Sequence, residues 1–257
     1  MDNSQMLTNR LRDIVNRVDH AGSITVAELS DQFGVAVETI RRDLRTLEDA
    51  GYLRRIHGGA TSLNDHISAL SFSSRQQESP EAKSVIAQRA LPLIREGDVL
   101  MLDPSSTAWN LAQALPDMKL TVITNSVRIV FDLVSKPKIE VICVGGHYHE
   151  KYGAFLGAVT VSHILDYHAD VCFHSCSAYD PETGAWDSND LNAGVKKAML
   201  RSSRSNVLLC DKAKLGRDGY TLINTVERID CHVSEEGIQG EVKRRTDQQN
   251  KGFHSSP

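Results

Sequence analysis

The sequence predicts an α/β protein of two parts, an N-terminal winged helix-turn-helix and a larger C-terminal domain built on a mostly parallel sheet. Three observations carry that expectation. The chain has 257 residues, long for one core and comfortable for a small module followed by a domain able to bury its own interior. Between residues 23 and 60, two amphipathic helical patterns flank a glycine turn and a short strand-like run follows. From residue 99 onward, short apolar runs alternate with helical patterns, as in a parallel sheet covered on both faces.

In chain order, Leu7, Leu11, Ile14, Val15 and Val18 recur at helical intervals and predict a supporting helix. Thr25 and Glu28 have the spacing of a capping box, and Val26, Leu29 and Phe33 continue the period until Gly34 ends it. After the turn, Val37, Ile40, Leu44 and Leu47 make the inward face of a second helix, which ends at Gly51. Its other face carries Thr39, Arg41, Arg42 and Arg45, groups that reach base edges and phosphates in a DNA major groove. Residues 52–57 alternate like a strand and close on Gly58 and Gly59, which sets Arg54, Arg55 and His57 on a wing against the phosphate backbone. The bland alternative is a small helical subdomain whose arginines are only a solvated face. This first domain is expected over residues 1–60.

Composition bounds the function classes. With 40% hydrophobic and 24% charged residues the chain is a soluble globular one, and no apolar run approaches the roughly 18 residues that span a bilayer. The start of the chain lacks a basic segment followed by an apolar one, so no signal peptide and a cytoplasmic location are expected. A net charge of −4 argues against indiscriminate nucleic-acid binding. Between residues 41 and 60, however, Arg41, Arg42, Arg45, Arg54 and Arg55 outnumber Asp43, Glu48 and Asp49, which favours a targeted contact. Cys143, Cys172, Cys176, Cys210 and Cys231 lie in apolar surroundings without a C-x-x-C pair and read as buried reduced thiols. His147 and His149 have the wrong spacing for the common helical zinc motifs, so neither metal nor cofactor is expected.

Residues 61–80, rich in Ser, Asn, Gln and His with little periodicity, read as a linker. A second domain follows over 81–236, opening with a helix over about 81–94. Strands are expected over 99–102, 120–124, 139–144, 171–175 and 207–210, and helices over 107–115, 127–134, 160–167 and 191–203. Residues 237–257 are polar and aperiodic and read as a disordered tail.

Open α/β sheets bind ligands beyond the carboxyl ends of their strands, which directs attention to four places. Asp103 leads through Pro104 to the hydroxyls of Ser105, Ser106 and Thr107 at a helix start, either a phosphate-sized anion site or an ordinary N-capped helix. Thr124 and Asn125, then Gly145 and Gly146, follow the next strands; the glycines serve either close approach to a ligand or a tight turn. Trp186, Asp187 and Asn189 combine an aromatic with hydrogen-bonding groups suited to a sugar, although the tryptophan serves a core equally well. Asp211, Lys212 and Lys214 follow the last strand, the ammonium groups either clamping a phosphate or merely solvated.

T-I-R-R-D-L at residues 39–44, L-E at 47–48 and H-G-G-A at 57–60 resemble the signature of the DeoR family of bacterial transcriptional regulators. Ala36 stands where members commonly carry Ser, and the missing side-chain cap costs about 1 kcal/mol. The second half resembles the family's sugar-phosphate-sensing domain in D-x-[GS]-[ST]-T at 103–107, T-N at 124–125, G-G at 145–146, Lys196 in V-K-x-A-M and D-x-x-K-x-G at 211–216. That resemblance implies a fold similar to ribose-5-phosphate isomerase, a sugar-phosphate effector, double-stranded operator DNA as partner and a homo-oligomer. Ser105 replaces the more usual Gly of the phosphate loop, and Asn192 stands where many members have Glu. S-S-T-x-W at 105–109, L-A-x-x-L-P-D at 111–117, K-Y-G at 151–153, W-D-S-N at 186–189 and D-K-x-K at 211–214 are similar to members governing L-fucose use, which implies a phosphorylated deoxysugar such as L-fuculose 1-phosphate. The alternative from another class is a sugar-phosphate isomerase with an accessory DNA-binding module, using Asp103, Lys196 and Lys212 as acid–base groups.

Overall fold

A computed structural model describes residues 9–21, 23–56, 58–62 and 71–244. Helices α1 (Asn9–Ala21), α2 (Val26–Phe33) and α3 (Val37–Asp49) pack on an antiparallel sheet of β1 (Ser23–Thr25), β2 (Leu53–Ile56) and β3 (Gly59–Ser62), in the order β1-β3-β2. The local signals act as expected. The Thr25 hydroxyl accepts from the Glu28 amide at 3.2 Å while the Glu28 carboxylate accepts from the Thr25 amide at 2.8 Å, and Gly34 ends α2 in the left-handed region at φ 61°. Helix α3 starts at Ala36 without a side-chain cap. Ile14, Val18, Leu29, Ile40, Leu44, Leu47 and Leu53 form the core. Val37, expected on the inward face of α3, is instead 39% exposed, and burial along the helix begins only at Ile40. Leu7 lies outside the described residues.

The second domain contains α4 (Phe72–Gln77), α5 (Pro80–Ala90), β4 (Val99–Leu102), α6 (Ser106–Ala114), β5 (Leu120–Thr124), α7 (Val127–Leu133) and β6 (Ile139–Cys143). A hairpin of β7 (His147–His149) and β8 (Ala154–Leu156) precedes α8 (Ala158–Leu165) and β9 (Ala169–His174). Then come β10 (Ala178–Asp180), β11 (Gly184–Asp187), α9 (Asp190–Arg201), β12 (Ser203–Leu209), β13 (Thr221–Asn224), β14 (Cys231–Val233) and β15 (Ile238–Gly240). The main sheet runs β15-β14-β12-β9-β4-β5-β6, parallel except for β15, and β10-β11-β13 form a small antiparallel sheet.

Both faces of the main sheet are covered, so successive residues of a strand enter different cores. On β4, Leu100 and Leu102 pack with Ile86, Leu111 and Ile129 from α5, α6 and α7, whereas Met101 packs with Ile164 and Met199 from α8 and α9. The strands leave β4 in two directions, β5 and β6 to one side, then β9, β12 and β14 to the other. The switch point therefore lies between β4 and β9, and a crevice opens beyond their carboxyl ends.

Two segments depart from expectation. Residues 61–80, read as a linker, include the second half of β3 and the whole of α4, whose Phe72 is buried against Trp109 at 5.8 Å between ring centres. Beyond residue 236 the chain does not become a tail at once. β15 pairs with β14, Val242 packs on the core, and Arg244 reaches Asp98 at 2.5 Å and the Leu93 carbonyl. Backbone pairing at a sheet edge needs no apolar pattern, which is why that polar stretch carries no strand signal. Residues 245–257 lie outside the described residues.

Candidate ligand cavity and nucleic-acid face

The crevice at the switch point encloses a cavity of about 420 Å³, within the size range of small-molecule sites. One wall is the loop and first turn after β4, where Ser105 caps α6 by accepting from the Ala108 amide at 3.0 Å and leaves the Ser106 and Thr107 side chains on the lining. The amides of such a first turn have no acceptor inside the helix. Behind the loop, Asp103 is fully buried and accepts from the Ser105 hydroxyl at 2.5 Å and the Ser175 amide at 3.2 Å.

The floor comes from β9 and α9. The Lys196 ammonium, buried with its partners, donates to Asp187 at 2.6 Å and to the Ser175 carbonyl at 2.8 Å, and lies 3.3 Å from Asp103. Burial opposes ionisation of Asp187, but the charge of Lys196 and the hydrogen bonds from Lys196 and the Ser188 amide outweigh it and hold this carboxyl below its ordinary range. The same carboxylates overcome burial and raise Lys196. Beside them Lys214 donates to the Ser175 hydroxyl at 2.9 Å and pairs with Asp211 at 3.3 Å. Cys176 also faces the cavity with its sulfur 3.6 Å from that of Cys210, whose thiol hydrogen bond pulls Cys176 below the usual thiol range.

The roof comes from α4 and the loop before β8. Arg75 enters between the rings of Phe72 and Tyr152, at 5.6 and 6.0 Å, and its Nε and Nη2 are buried without a hydrogen-bond acceptor. Burial pushes this guanidinium below its ordinary value against the attraction of Asp187 and Asp103. Lys83, buried under α4, donates to the carbonyls of Arg75 and Glu78; burial, then the charge of Lys214, brings its amine down to about 8. The Tyr152 hydroxyl accepts from Asn189 at 3.1 Å, and burial with the nearby Asp187 pushes it up to about 12. Arg75, Lys83, Lys196, Lys214 and Arg217 thus line the cavity against Glu78, Asp187 and Asp218, an excess of positive charge in a confined volume.

In the first domain, Arg41, Arg42 and Arg45 are exposed on one side of α3, Thr39 is half-buried, and Arg54 and Arg55 are exposed on β2. A depression of about 280 Å³ between helix and wing is lined by Arg41, Arg45, Arg55 and Ile56. Arg41 lies 3.2 Å from Glu38 and Arg55 lies 3.2 Å from Glu48, exposed pairs that yield readily to a stronger anion. Asp43 plays a different part, accepting from Arg10 at 2.7 and 3.1 Å and so tying α3 to α1. The alternation expected over residues 52–57 is confined to Leu53, the only buried residue of β2, and Ile56 is 45% exposed. His57 lies outside the described residues.

Comparison with known proteins meets this geometry on both domains. Residues 10–66 match the DeoR-like helix-turn-helix domain and residues 78–236 the DeoR C terminal sensor domain. The chain belongs to the DeoR family of transcriptional regulators. This DeoR-family chain is 38% identical to the uncharacterized HTH-type transcriptional regulator YulB of Bacillus subtilis, over 91% of this chain and 90% of that protein. It is 35% identical to the L-fucose operon activator of Haemophilus influenzae, over 91% and 94%, and equally to that of Escherichia coli, over 90% and 96%. Among solved structures, ribose 5-phosphate isomerase A from Methanocaldococcus jannaschii overlaps 54% of this chain and 55% of its own at a TM-score of 0.41 and 16% identity. No helix among the described residues is long and apolar enough to cross a membrane.

The sequence-predicted ligand residues of this DeoR-family chain divide into three groups. Ser105, Ser106, Thr107, Asp187, Lys196 and Lys214 line the cavity together. Asp103, Asn189 and Asp211 stand just behind it, holding Lys196, Tyr152 and Lys214 in place. The rest lie off the lining. Lys212 is exposed and reaches Glu236 at 3.5 Å, because the turn after β12 carries alternate lysines to opposite sides. The isomerase alternative needed Lys212 beside Asp103 and Lys196, and the fold does not bring them together. Trp186 is on β11 with its indole donating to Thr183 at 3.1 Å. The Thr124 hydroxyl donates to the Leu102 carbonyl at 2.7 Å and Asn125 donates to the Phe155 carbonyl at 2.7 Å, both as internal ties. Gly145 accepts from the Thr160 hydroxyl, and a Cβ at Gly146 would lie 2.0 Å from that oxygen, so these glycines admit a helix rather than a ligand. Cys143 is exposed at the carboxyl end of the edge strand β6, the exception among five free thiols expected to be buried.

Sequence reasoning missed Arg75, Lys83, Tyr152, Ser175, Cys176 and Arg217. Arg75 sits in a Ser- and Gln-rich stretch without periodicity, and only its spacing from Phe72, one helical turn, hinted at an ordered element. The Ser175 and Ser177 pair that closes β9 was the most accessible signal, since polar residues at a central strand's carboxyl end mark a site.

Proposed function

We propose that the chain regulates a sugar-catabolic operon in the cytoplasm, reading operator DNA with α3 and the β2–β3 wing and responding to a phosphorylated deoxysugar, L-fuculose 1-phosphate or a close relative, held in the switch-point cavity. The observation that carries the effector reading is that Arg75, Lys214, Ser106 and Thr107 all line that one cavity. Guanidinium, ammonium, hydroxyls and first-turn amides are the groups that bind a phosphate dianion. The same lining holds Asp187, Asn192 and Ser177, which offer acceptors and donors suited to sugar hydroxyls. The buried Asn192 oxygen has no hydrogen-bond partner, a capacity that a sugar hydroxyl would fill. Relatives named as L-fucose operon activators match at 35% identity, which supports the choice of sugar.

The ligand is bound and released rather than converted, since Asp103 spends its oxygens on Ser105, Ser175 and Lys196. A helix-turn-helix reading a palindrome requires two copies about one DNA turn apart, so the working form is a homo-oligomer. A thermal-shift series tests the effector: L-fuculose 1-phosphate at 100 times its dissociation constant raises sensor stability by about 2.7 kcal/mol, and L-fuculose without phosphate does so far less. Equal effects of the two sugars would overturn the phosphate assignment, and conversion of the compound during incubation would restore the isomerase.

A further inference from the structure

Helix α4 belongs to neither matched segment, for one ends at residue 66 and the other begins at residue 78. Yet α4 supplies the roof of the cavity and stands on the only covalent route from the wing to the sensor. Its hold on the sensor comes from specific groups: Phe72, buried against Trp109 and under the Arg128 guanidinium at 4.5 Å, Arg75 over Tyr152, the Ser106 hydroxyl on the Arg75 carbonyl at 3.2 Å, and Lys83 on the carbonyls of Arg75 and Glu78. Six residues are too few for a helix to persist without such support. Directly after it, Ser79 has φ 45° and ψ 52°, the one left-handed non-glycine residue among those described, so the junction with α5 is strained as well. Into this short element is built a guanidinium whose Nε and Nη2 are buried without acceptors, a costly arrangement unless something in the cavity accepts from them.

We infer that α4 is the element through which the sensor controls the DNA-binding domain: an anionic effector is gripped by Arg75, and that grip fixes the connecting segment to the sensor. The inference rests on the reading of the cavity as an effector site and adds the route by which occupancy leaves it. With an anion present, Nε and Nη2 gain charge-assisted hydrogen bonds and the docked α4 is favoured; with none, release of Arg75 to water competes with docking. A ligand shifts such an equilibrium only by its differential affinity for the two states, and Arg75 is a contact that exists in one state alone. Lys214 is the contrasting group, because it is anchored on the sensor by Asp211 and Ser175 and contributes to affinity without moving.

The test uses the full-length chain and a DNA duplex selected from a random pool by the wild type, titrated with L-fuculose 1-phosphate and separately with inorganic phosphate. Lys214→Gln is expected to shift the ligand midpoint by about tenfold or more and keep the full change in DNA binding at saturation. Arg75→Gln is expected to shift the midpoint similarly and also to lose most of that change at saturation. Hydrogen exchange on the wild type provides the second reading, with amides 72–79 slowed by ligand. Arg75→Gln retaining the wild-type amplitude at saturation, or amides 72–79 indifferent to bound ligand, overturns the inference. If Arg75→Gln binds no ligand at millimolar concentration, protection of 72–79 in the wild type sustains the inference and its absence overturns it. Should phosphate protect 72–79 while L-fuculose 1-phosphate neither binds nor acts, the choice of sugar fails and the inference stands; should neither bind, the effector reading fails and takes the inference with it.

Discussion

Lys196→Met isolates the charge cluster on which the cavity floor is built. The ammonium is 5% exposed, against 4% for Asp187 and 0% for Asp103, so methionine fills most of the space and removes only the charge and its donors. Removing one partner of a buried ion pair costs about 3–5 kcal/mol, chiefly because the remaining charge is stranded. Here the stranded carboxylates keep other donors: Asp103 retains Ser105 and the Ser175 amide, and Asp187 retains the Ser188 amide at 2.7 Å. The lower end, about 3 kcal/mol at pH 7, is therefore expected. In the wild type the Asp187 carboxyl lies below its ordinary range, so it adds stability above the unfolded pKa that is lost on acidification through the folded one. Without Lys196, burial dominates and raises that carboxyl, a contribution present at low pH and lost as pH rises. Both effects make the gap between variant and wild type widest at neutral pH and narrower toward pH 4. Urea unfolding followed by circular dichroism at the two pH values measures the gap. A loss under about 1 kcal/mol at pH 7 with an unchanged urea slope, or an equal gap at both pH values, refutes the reasoning.

Three further outcomes follow from the geometry. Arg41→Ala and Arg42→Ala each weaken operator binding by about 1–3 kcal/mol at fixed salt while leaving the melting temperature unchanged, and undiminished affinity in both would remove α3 from the interface. In ligand titrations, Thr107→Val and Lys214→Met each lose about tenfold in effector affinity, whereas Lys212→Met behaves as wild type; the reverse ranking would move the site to the outer face of the turn after β12. His174 is fully buried near Asp103 and Lys196 with neither ring nitrogen hydrogen-bonded, and burial brings it down to about 4. Because its folded value lies below the unfolded one, stability falls as pH drops from about 6.5 to 4, by about 3 kcal/mol from this residue, and His174→Phe should flatten that limb of the stability curve measured by urea unfolding.

What the amino-acid order determined by itself is whatever rests on neighbours in the chain. The Thr25 and Glu28 box, the Gly34 stop and the uncapped start at Ala36 are local hydrogen-bonding facts, legible from spacing alone and found where that spacing put them. The parallel sheet was legible in its apolar runs because strands buried on both faces need side chains that want no water. Half of the cavity was legible as well: Ser105–Thr107 sit at a strand end and helix start recognisable from spacing, whereas Lys196, in the middle of α9, was legible only through the family resemblance. Tertiary structure alone decided the other half. Arg75 is a polar residue in a polar stretch until α4 folds over the switch point, Ser175 reaches the same space only because β4 and β9 are neighbours 71 residues apart at Leu100 and Val171, and Tyr152 arrives through the bridge of Ala154 to Ser126. It also decided between Lys212 and Lys214, two identical side chains that one turn of backbone sends to opposite sides, one to solvent and one to a buried carboxylate. The physical reason is common to all these cases: charge placement in a cavity depends on crossings between distant segments, and periodicity along the chain carries no information about which segments cross.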